Sequence, residues 1–176
     1  MLFIVLIRGI NVGGKKKLRM DDLRAVCESL GLSDAKTILQ SGNLLFRTTR
    51  SDRERLADDL EKGILEAAGI EATVILRTDA ELQQAVERNP FRAEAERDPG
   101  RLVIVFLEGK PTIEAAADLK AYRGPETMHL IGQELFIHYS QGQGTSKLTN
   151  ALIERKLGVS ATARNWNTVQ RLLDVS

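Results

Sequence analysis

Two strand–loop–helix junctions carry the residue types that hold an oxyanion. The first is Arg8-Gly9-Ile10-Asn11-Val12-Gly13-Gly14-Lys15-Lys16-Lys17. Its three glycines permit positive φ and close backbone approach, and its basic side chains supply charge, so together they suit a phosphate. Gly9 and Gly14-Lys15 stand at P-loop spacing, but Lys16 occupies the place where Ser or Thr would hold magnesium. The helical pattern also starts only near residue 20, too late to aim a helix N-terminus at phosphates, so a P-loop nucleoside triphosphatase is rejected. The second junction is Tyr139-Ser140-Gln141-Gly142-Gln143-Gly144-Thr145-Ser146-Lys147, with glycines, hydroxyls and a lysine at an expected helix start. Its plainer reading is that Thr145 or Ser146 caps that helix.

Two further segments stand out. Gln40-Ser41-Gly42-Asn43 has the composition of a tight hairpin turn. Arg164-Asn165-Trp166-Asn167-Thr168 holds the only tryptophan. Asn165 or Thr162 could cap a helix there, or the indole could stack on a base or clamp a peptide. His129 and His138 flank one expected hairpin on the same face, but without nearby cysteine or clustered acid they make a poor metal site. Asp21-Asp22 suit the first turn of a helix, and Asp58-Asp59 read as solvated helix surface. No Ser-His-Asp or Cys-His arrangement can be assembled from spacing.

The elements that position these residues follow from apolar periodicity. Strands are predicted near 2–8, 35–40, 43–48 and 72–77. Leu23, Val26, Cys27 and Leu30 at i, i+3, i+4 and i+7 give a helix near 20–30, and Leu56, Leu60, Ile64 and Ala67 give another near 51–68. The order β-α-β-β-α-β is the split-βαβ, ferredoxin-like arrangement, so the fold class is α+β. Residues 1–77 are expected to form a four-stranded antiparallel sheet with both helices on one face. Residues 78–100 read as a connecting helix and linker, broken at Asn89-Pro90-Phe91 and Asp98-Pro99-Gly100. Residues 101–176 read as a second α+β subdomain, β-α-β-β-α with a further C-terminal helix. A strand at 101–107, a helix opened by Pro111, a hairpin at 127–139 turning at Gly132-Gln133, and helices near 146–157 and 165–173 make a degenerate repeat of the first half.

This topology turns the loops into a candidate site. In a split βαβ unit the third strand lies antiparallel between the first two, so the end of strand one and the turn of the following hairpin share one sheet edge. Arg8, Asn11, Gly13, Gly14, Lys15, Gln40, Ser41 and Asn43 are expected to converge there. Ser146, Lys147, Arg164, Asn165 and Trp166 complete the candidate ligand-binding residues in the second half. No catalytic residue, metal or cofactor is assigned.

Composition bounds the rest. The 176 residues fit one large domain or two small ones. A single cysteine, Cys27, allows no intrachain disulfide, and a reducing cytoplasm is the expected compartment. Met1–Arg8 is too short to span a bilayer and lacks signal-peptide features. The net charge of +1 divides unevenly: residues 1–20 carry +5, residues 140–176 carry +3, and the middle carries −7. Basic ends on an acidic middle favour a local anion site over a uniformly basic nucleic-acid surface.

The segments Arg8–Gly14, Gln40–Asn43, Ser146-Lys147-Leu148-Thr149 and Ala163–Thr168 together resemble the signatures of domain-of-unknown-function family 1697, over essentially the whole chain. The resemblance implies a bacterial, cytoplasmic α+β protein with ferredoxin-like character, and no established activity. The leading expectation is a binding or catalytic site for a phosphate-bearing small molecule or nucleotide. The alternatives are a nucleic-acid-binding module, with two closing helices joined by a turn at Gly158–Thr162 presenting Arg164, Trp166 and Arg171, or a protein-interaction adaptor.

Overall fold

In the computed structural model, residues 1–10, 17–39 and 42–176 are described. They form two compact units, Met1–Leu82 with Val175–Ser176, and Gln83–Asp174.

Unit 1 begins with β1 (Leu2–Arg8), α1 (Met20–Ser29), β2 (Ser33–Ile38), β3 (Asn43–Arg47), α2 (Arg53–Ala68) and β4 (Thr73–Thr78). Its sheet has the order β2-β3-β1-β4 with every neighbouring pair antiparallel, the order a split βαβ unit produces. Phe3, Val5, Ile7, Leu44, Phe46, Val74 and Leu76 alternate onto one face and meet Leu23, Val26, Leu56, Leu60 and Ile64 of the two helices. The residues between them, including Ile4, Leu6, Leu45 and Ile75, are buried too, which is why β1 reads as an unbroken apolar run. Asp52 caps α2, its carboxylate accepting the Arg55 N–H at 3.0 Å.

Gly63 shows how closely the two helices approach. A Cβ built there would stand 2.6 Å from Val26 Cγ1. Helix propensity favours alanine over glycine by about 1 kcal/mol. Val26 is buried and, being β-branched, stiff at χ1. Gly63→Ala is therefore expected to lower stability by about 1–2 kcal/mol through overpacking. The double variant with Val26→Ala should be more stable than the two single losses predict, as chemical denaturation would show.

The connecting segment holds α3 (Asp79–Glu87) and a second helix, α4 (Arg92–Arg97), where the sequence suggested only a linker. Unit 2 continues with β5 (Leu102–Leu107), α5 (Ile113–Lys120), β6 (Thr127–Ile131), β7 (Glu134–His138), α6 (Asn150–Leu157), β8 (Ala161–Asn165) and α7 (Trp166–Asp174). The sheet order, β6-β7-β5-β8, is that of unit 1. The second half thus carries one strand more than its pattern suggested. β8, Ala161-Thr162-Ala163-Arg164-Asn165, has small and polar residues where strands usually show branched apolar ones, so periodicity missed it.

The two sheets match in register. Leu6 faces Asn43 as Phe106 faces Glu134, and Ile4 faces Arg77 as Ile104 faces Arg164. In each unit a helix carboxylate accepts the N–H of the equivalent strand residue at 2.7 Å, Glu61 from Val74 and Glu154 from Ala161.

Candidate functional site

The end of β1 and the β2–β3 turn do share one edge of the unit 1 sheet. Leu6 pairs with Asn43, and Ile7 N–H donates to the Gly42 carbonyl at 2.8 Å. Arg8, half-buried, ends β1 opposite Thr73. Ile10 and Leu18 are both buried in the unit 1 core. Asn11, Gly13, Gly14, Lys15, Gln40 and Ser41 lie outside the described residues.

Asn43 sits at the base of the same turn. It is fully buried, and its Nδ2 donates to the Ile38 carbonyl at 3.1 Å across the base of the turn. That bond braces the turn. Gly42 fixes the same place from the other side, with φ at 79° and no room for a side chain, since a Cβ there would stand 2.9 Å from Ile10 Cδ1 and 3.2 Å from Ile7 Cβ.

The same edge of unit 2 is built more economically. Leu107 N–H donates to the Gln133 carbonyl at 2.9 Å, the counterpart of the Ile7–Gly42 bond. Yet β5 joins α5 through residues 108–112, five residues, where β1 joins α1 through residues 9–19, eleven residues. The β6–β7 turn takes two residues, 132–133, where the β2–β3 turn takes four, 39–42.

The Tyr139–Lys147 junction is occupied by its own contacts. Tyr139 is buried and its hydroxyl donates to the Leu148 carbonyl at 2.9 Å. Ser140 Oγ donates to the Pro125 carbonyl, and Thr145 Oγ1 lies within hydrogen-bond reach of the Gln141 and Gly142 carbonyls. Ser146 Oγ donates to the Glu126 carboxylate and accepts the Leu148 N–H. Thr149, not Thr145 or Ser146, caps α6, accepting the Leu152 N–H at 3.2 Å. Lys147 is exposed but stands three residues ahead of the helix, so it is not at a helix start. Sequence reading missed Glu126, whose carboxylate beside Ser146 opposes an oxyanion there by like-charge repulsion.

Arg164, Asn165 and Trp166 sit where β8 passes into α7. Asn165 is the cap, Oδ1 accepting the Thr168 N–H at 2.9 Å. Arg164 is buried, its guanidinium donating to Thr162 Oγ1 at 2.7 Å and the Ala163 carbonyl at 2.8 Å. Burial pulls its pKa down to about 10, so it remains a cation at neutral pH. Arg77 is its counterpart in β4, equally buried and bonded to the carbonyl of the residue before it, Leu76, at 2.9 Å. Aligning Leu76-Arg77-Thr78 with Ala163-Arg164-Asn165 would have found it. A strand separates α6 from α7, and Arg164 faces inward. The expected pair of helices joined by a short turn and presenting Arg164 to a polymer is therefore corrected.

Elsewhere, His129 and His138 share a face of the unit 2 sheet as expected, with Phe91 at ring-centroid distances of 5.4 and 6.4 Å. His138 Nε2 lies 3.4 Å from Asp98 Oδ2. Among the described residues no cluster of His, Cys, Asp and Glu could hold a metal ion, and no helix is long and apolar enough to cross a membrane. Cys27 is fully buried on the helix face with Leu23 and Val26. Burial first, and the Glu28 charge second, push its thiol up to about 12. A thiol reagent in native buffer should therefore label it no faster than the protein unfolds. Cys27→Ser should lower stability by about 1–3 kcal/mol through a poorly satisfied buried hydroxyl.

Comparison with known proteins agrees with this architecture. The family described as "Protein of unknown function (DUF1697)" matches residues 1–136. The solved structure of the conserved bacterial protein SP0830 from Streptococcus pneumoniae superposes with a TM-score of 0.79 at 23% identity, covering 99% of this chain and 97% of that one. At that identity the likeness is one of fold. No curated protein matches the chain by sequence.

Proposed function

The chain belongs to this family of unknown function, and we propose that it binds a phosphate-bearing small molecule or nucleotide at the unit 1 sheet edge. The observation that carries the reading is a control within the chain itself. Two sheets of the same strand order and register need only short connections at this edge in unit 2, while unit 1 lengthens both of them. Chain connectivity does not require the extra residues. They include Asn11, Gly13, Gly14, Lys15, Gln40 and Ser41. Ordering three glycines within six residues opposes folding, which only an interaction made in the ordered state offsets. Backbone N–H groups beside Gly13-Gly14 cradle anionic oxygens, Lys15 and Arg8 supply charge, and Asn11 and Ser41 hydrogen-bond the rest of the ligand. Asn43 and Gly42 hold the turn in place.

A thermal-shift screen of inorganic phosphate, pyrophosphate and nucleotides tests this. At least one phosphate-bearing compound should raise the melting temperature of the wild type. Lys15→Ala and Asn11→Ala should leave the unliganded melting temperature within about 2 °C while weakening that ligand about tenfold, as loss of one hydrogen bond to a charged group implies. Steep weakening with salt for polynucleotides, but not for the small ligand, separates this reading from nucleic-acid binding. A flat screen sinks it.

A further inference from the structure

Leu39 opens the β2–β3 turn with φ at 59°, the left-handed region that leucine rarely adopts. Among the described residues the only other non-glycine at positive φ is Asp34, a residue type that tolerates it. Unit 2 provides the comparison. Leu6 faces Asn43 as Phe106 faces Glu134, and the pair Ile38–Asn43 closes its turn as Ile131–Glu134 does, so Gly132 is the counterpart of Leu39. The two residues share a backbone conformation, with φ at 59° and 65°. A Cβ at Gly132 would meet nothing closer than Glu134 Oε2 at 4.0 Å, so glycine stands there for its φ and not for space. At the same place unit 1 keeps a leucine, with strain of the kind that collects at ligand clamps. The leucine gains little packing in return, because it is 40% exposed. None of the other exposed large hydrophobics, Met1, Leu65, Ile113 and Val175, has a positive φ. Leu39 also lies at the sheet edge of the proposed anion site. It follows Ile38, whose carbonyl holds Asn43, and Asn43 faces Leu6 just before the end of β1.

We infer that Leu39 is the apolar contact for the base of a nucleotide whose phosphates sit at the Gly-rich loop. The assignment rests on the anion site proposed above and narrows its ligand from any phosphate-bearing small molecule to a nucleotide. Inorganic phosphate and pyrophosphate have no apolar surface to cover the leucine, and the hydroxylated ring of a sugar phosphate has little. A nucleobase presents a flat face that an aliphatic side chain covers, whatever the base. Taking the leucine out of water then favours the complex and offsets the strain held by the free protein.

Isothermal titration calorimetry with ADP and pyrophosphate, which share the diphosphate group and differ in the nucleoside, tests this. Wild type should bind ADP at least about fivefold more tightly than pyrophosphate, the order set by covering part of one leucine side chain. Leu39→Gly, which installs the residue type of unit 2, should bring ADP within about twofold of pyrophosphate while leaving pyrophosphate affinity unchanged. Leu39→Met, which keeps an apolar side chain, should retain the preference. The unliganded melting temperature of Leu39→Gly should stay within about 2 °C of wild type, because relief of strain is offset by the added freedom of the unfolded chain. In NMR spectra the Leu39 methyl resonances should move with ADP and not with pyrophosphate. Pyrophosphate binding with ADP no tighter, or an ADP preference that survives Leu39→Gly, overturns the inference and leaves the anion site standing. So does a larger fall in melting temperature, which makes Leu39 a packing residue. If neither compound binds, the anion site and the nucleotide assignment fall together.

Discussion

Gly42→Ala is expected to lower stability by about 2–4 kcal/mol, where the same change at Gly31 lowers it by only about 1 kcal/mol. Both glycines hold positive φ, 79° and 68°. The backbone contribution is therefore similar at the two sites. They differ in surroundings: a Cβ at Gly31 meets nothing within 4 Å, while one at Gly42 stands 2.9 Å from Ile10 Cδ1 and Cγ1 and 3.2 Å from Ile7 Cβ. Ile7 and Ile10 are buried in the unit 1 core and cannot move without opening it. Denaturation in urea with an unchanged slope should give both values. Equal losses at the two positions would mean that the turn is not pressed onto the end of β1.

Deleting residues 11–16 should abolish ligand binding while leaving the fold intact. The deletion leaves Gly9, Ile10, Lys17, Leu18 and Arg19, a five-residue connection like that of residues 108–112. Ile10 and Leu18, both buried in the core, are kept. Shortening a flexible connection from eleven to five residues reduces its closure entropy by about 0.7 kcal/mol, so stability should hold or rise slightly. Binding loses Lys15, Asn11 and the Gly13-Gly14 backbone together. Two charge-assisted hydrogen bonds at about 1.5–3 kcal/mol each imply at least about a hundredfold loss of affinity. Collapse of the fold on deletion would make the long loop a structural necessity.

Most of the frame was legible in the sequence because burial writes itself as periodicity. β1 showed as an apolar run, α1 and α2 as stripes at i, i+3, i+4 and i+7, and the Gly132-Gln133 turn as punctuation between two alternating segments. From that order the shared edge of β1 and the β2–β3 turn followed by topology. β8 escaped because its buried positions are Ala161, Thr162 and Arg164, none of which signals a strand. With β8 unseen, the repeat looked incomplete, α6 and α7 looked adjacent, and Arg164 looked free to meet a polymer. The start of α6 was placed four residues early because Thr145, Ser146 and Thr149 are equally good caps by type, and only the Glu126–Ser146 contact distinguishes them. The Asn43–Ile38 bond was not legible for a related reason: a polar residue in a turn reads the same whether its amide faces a ligand or a neighbouring carbonyl.

The most direct measurement is a residue-resolved one, an amide proton–nitrogen NMR titration of the wild type with pyrophosphate. The account predicts saturable shifts confined to residues 8–17 and 40–43, absent at the equivalent connection 108–112 and lost in Lys15→Ala. No saturable shift, or shifts centred on 108–112 or on Ser146-Lys147, would contradict it.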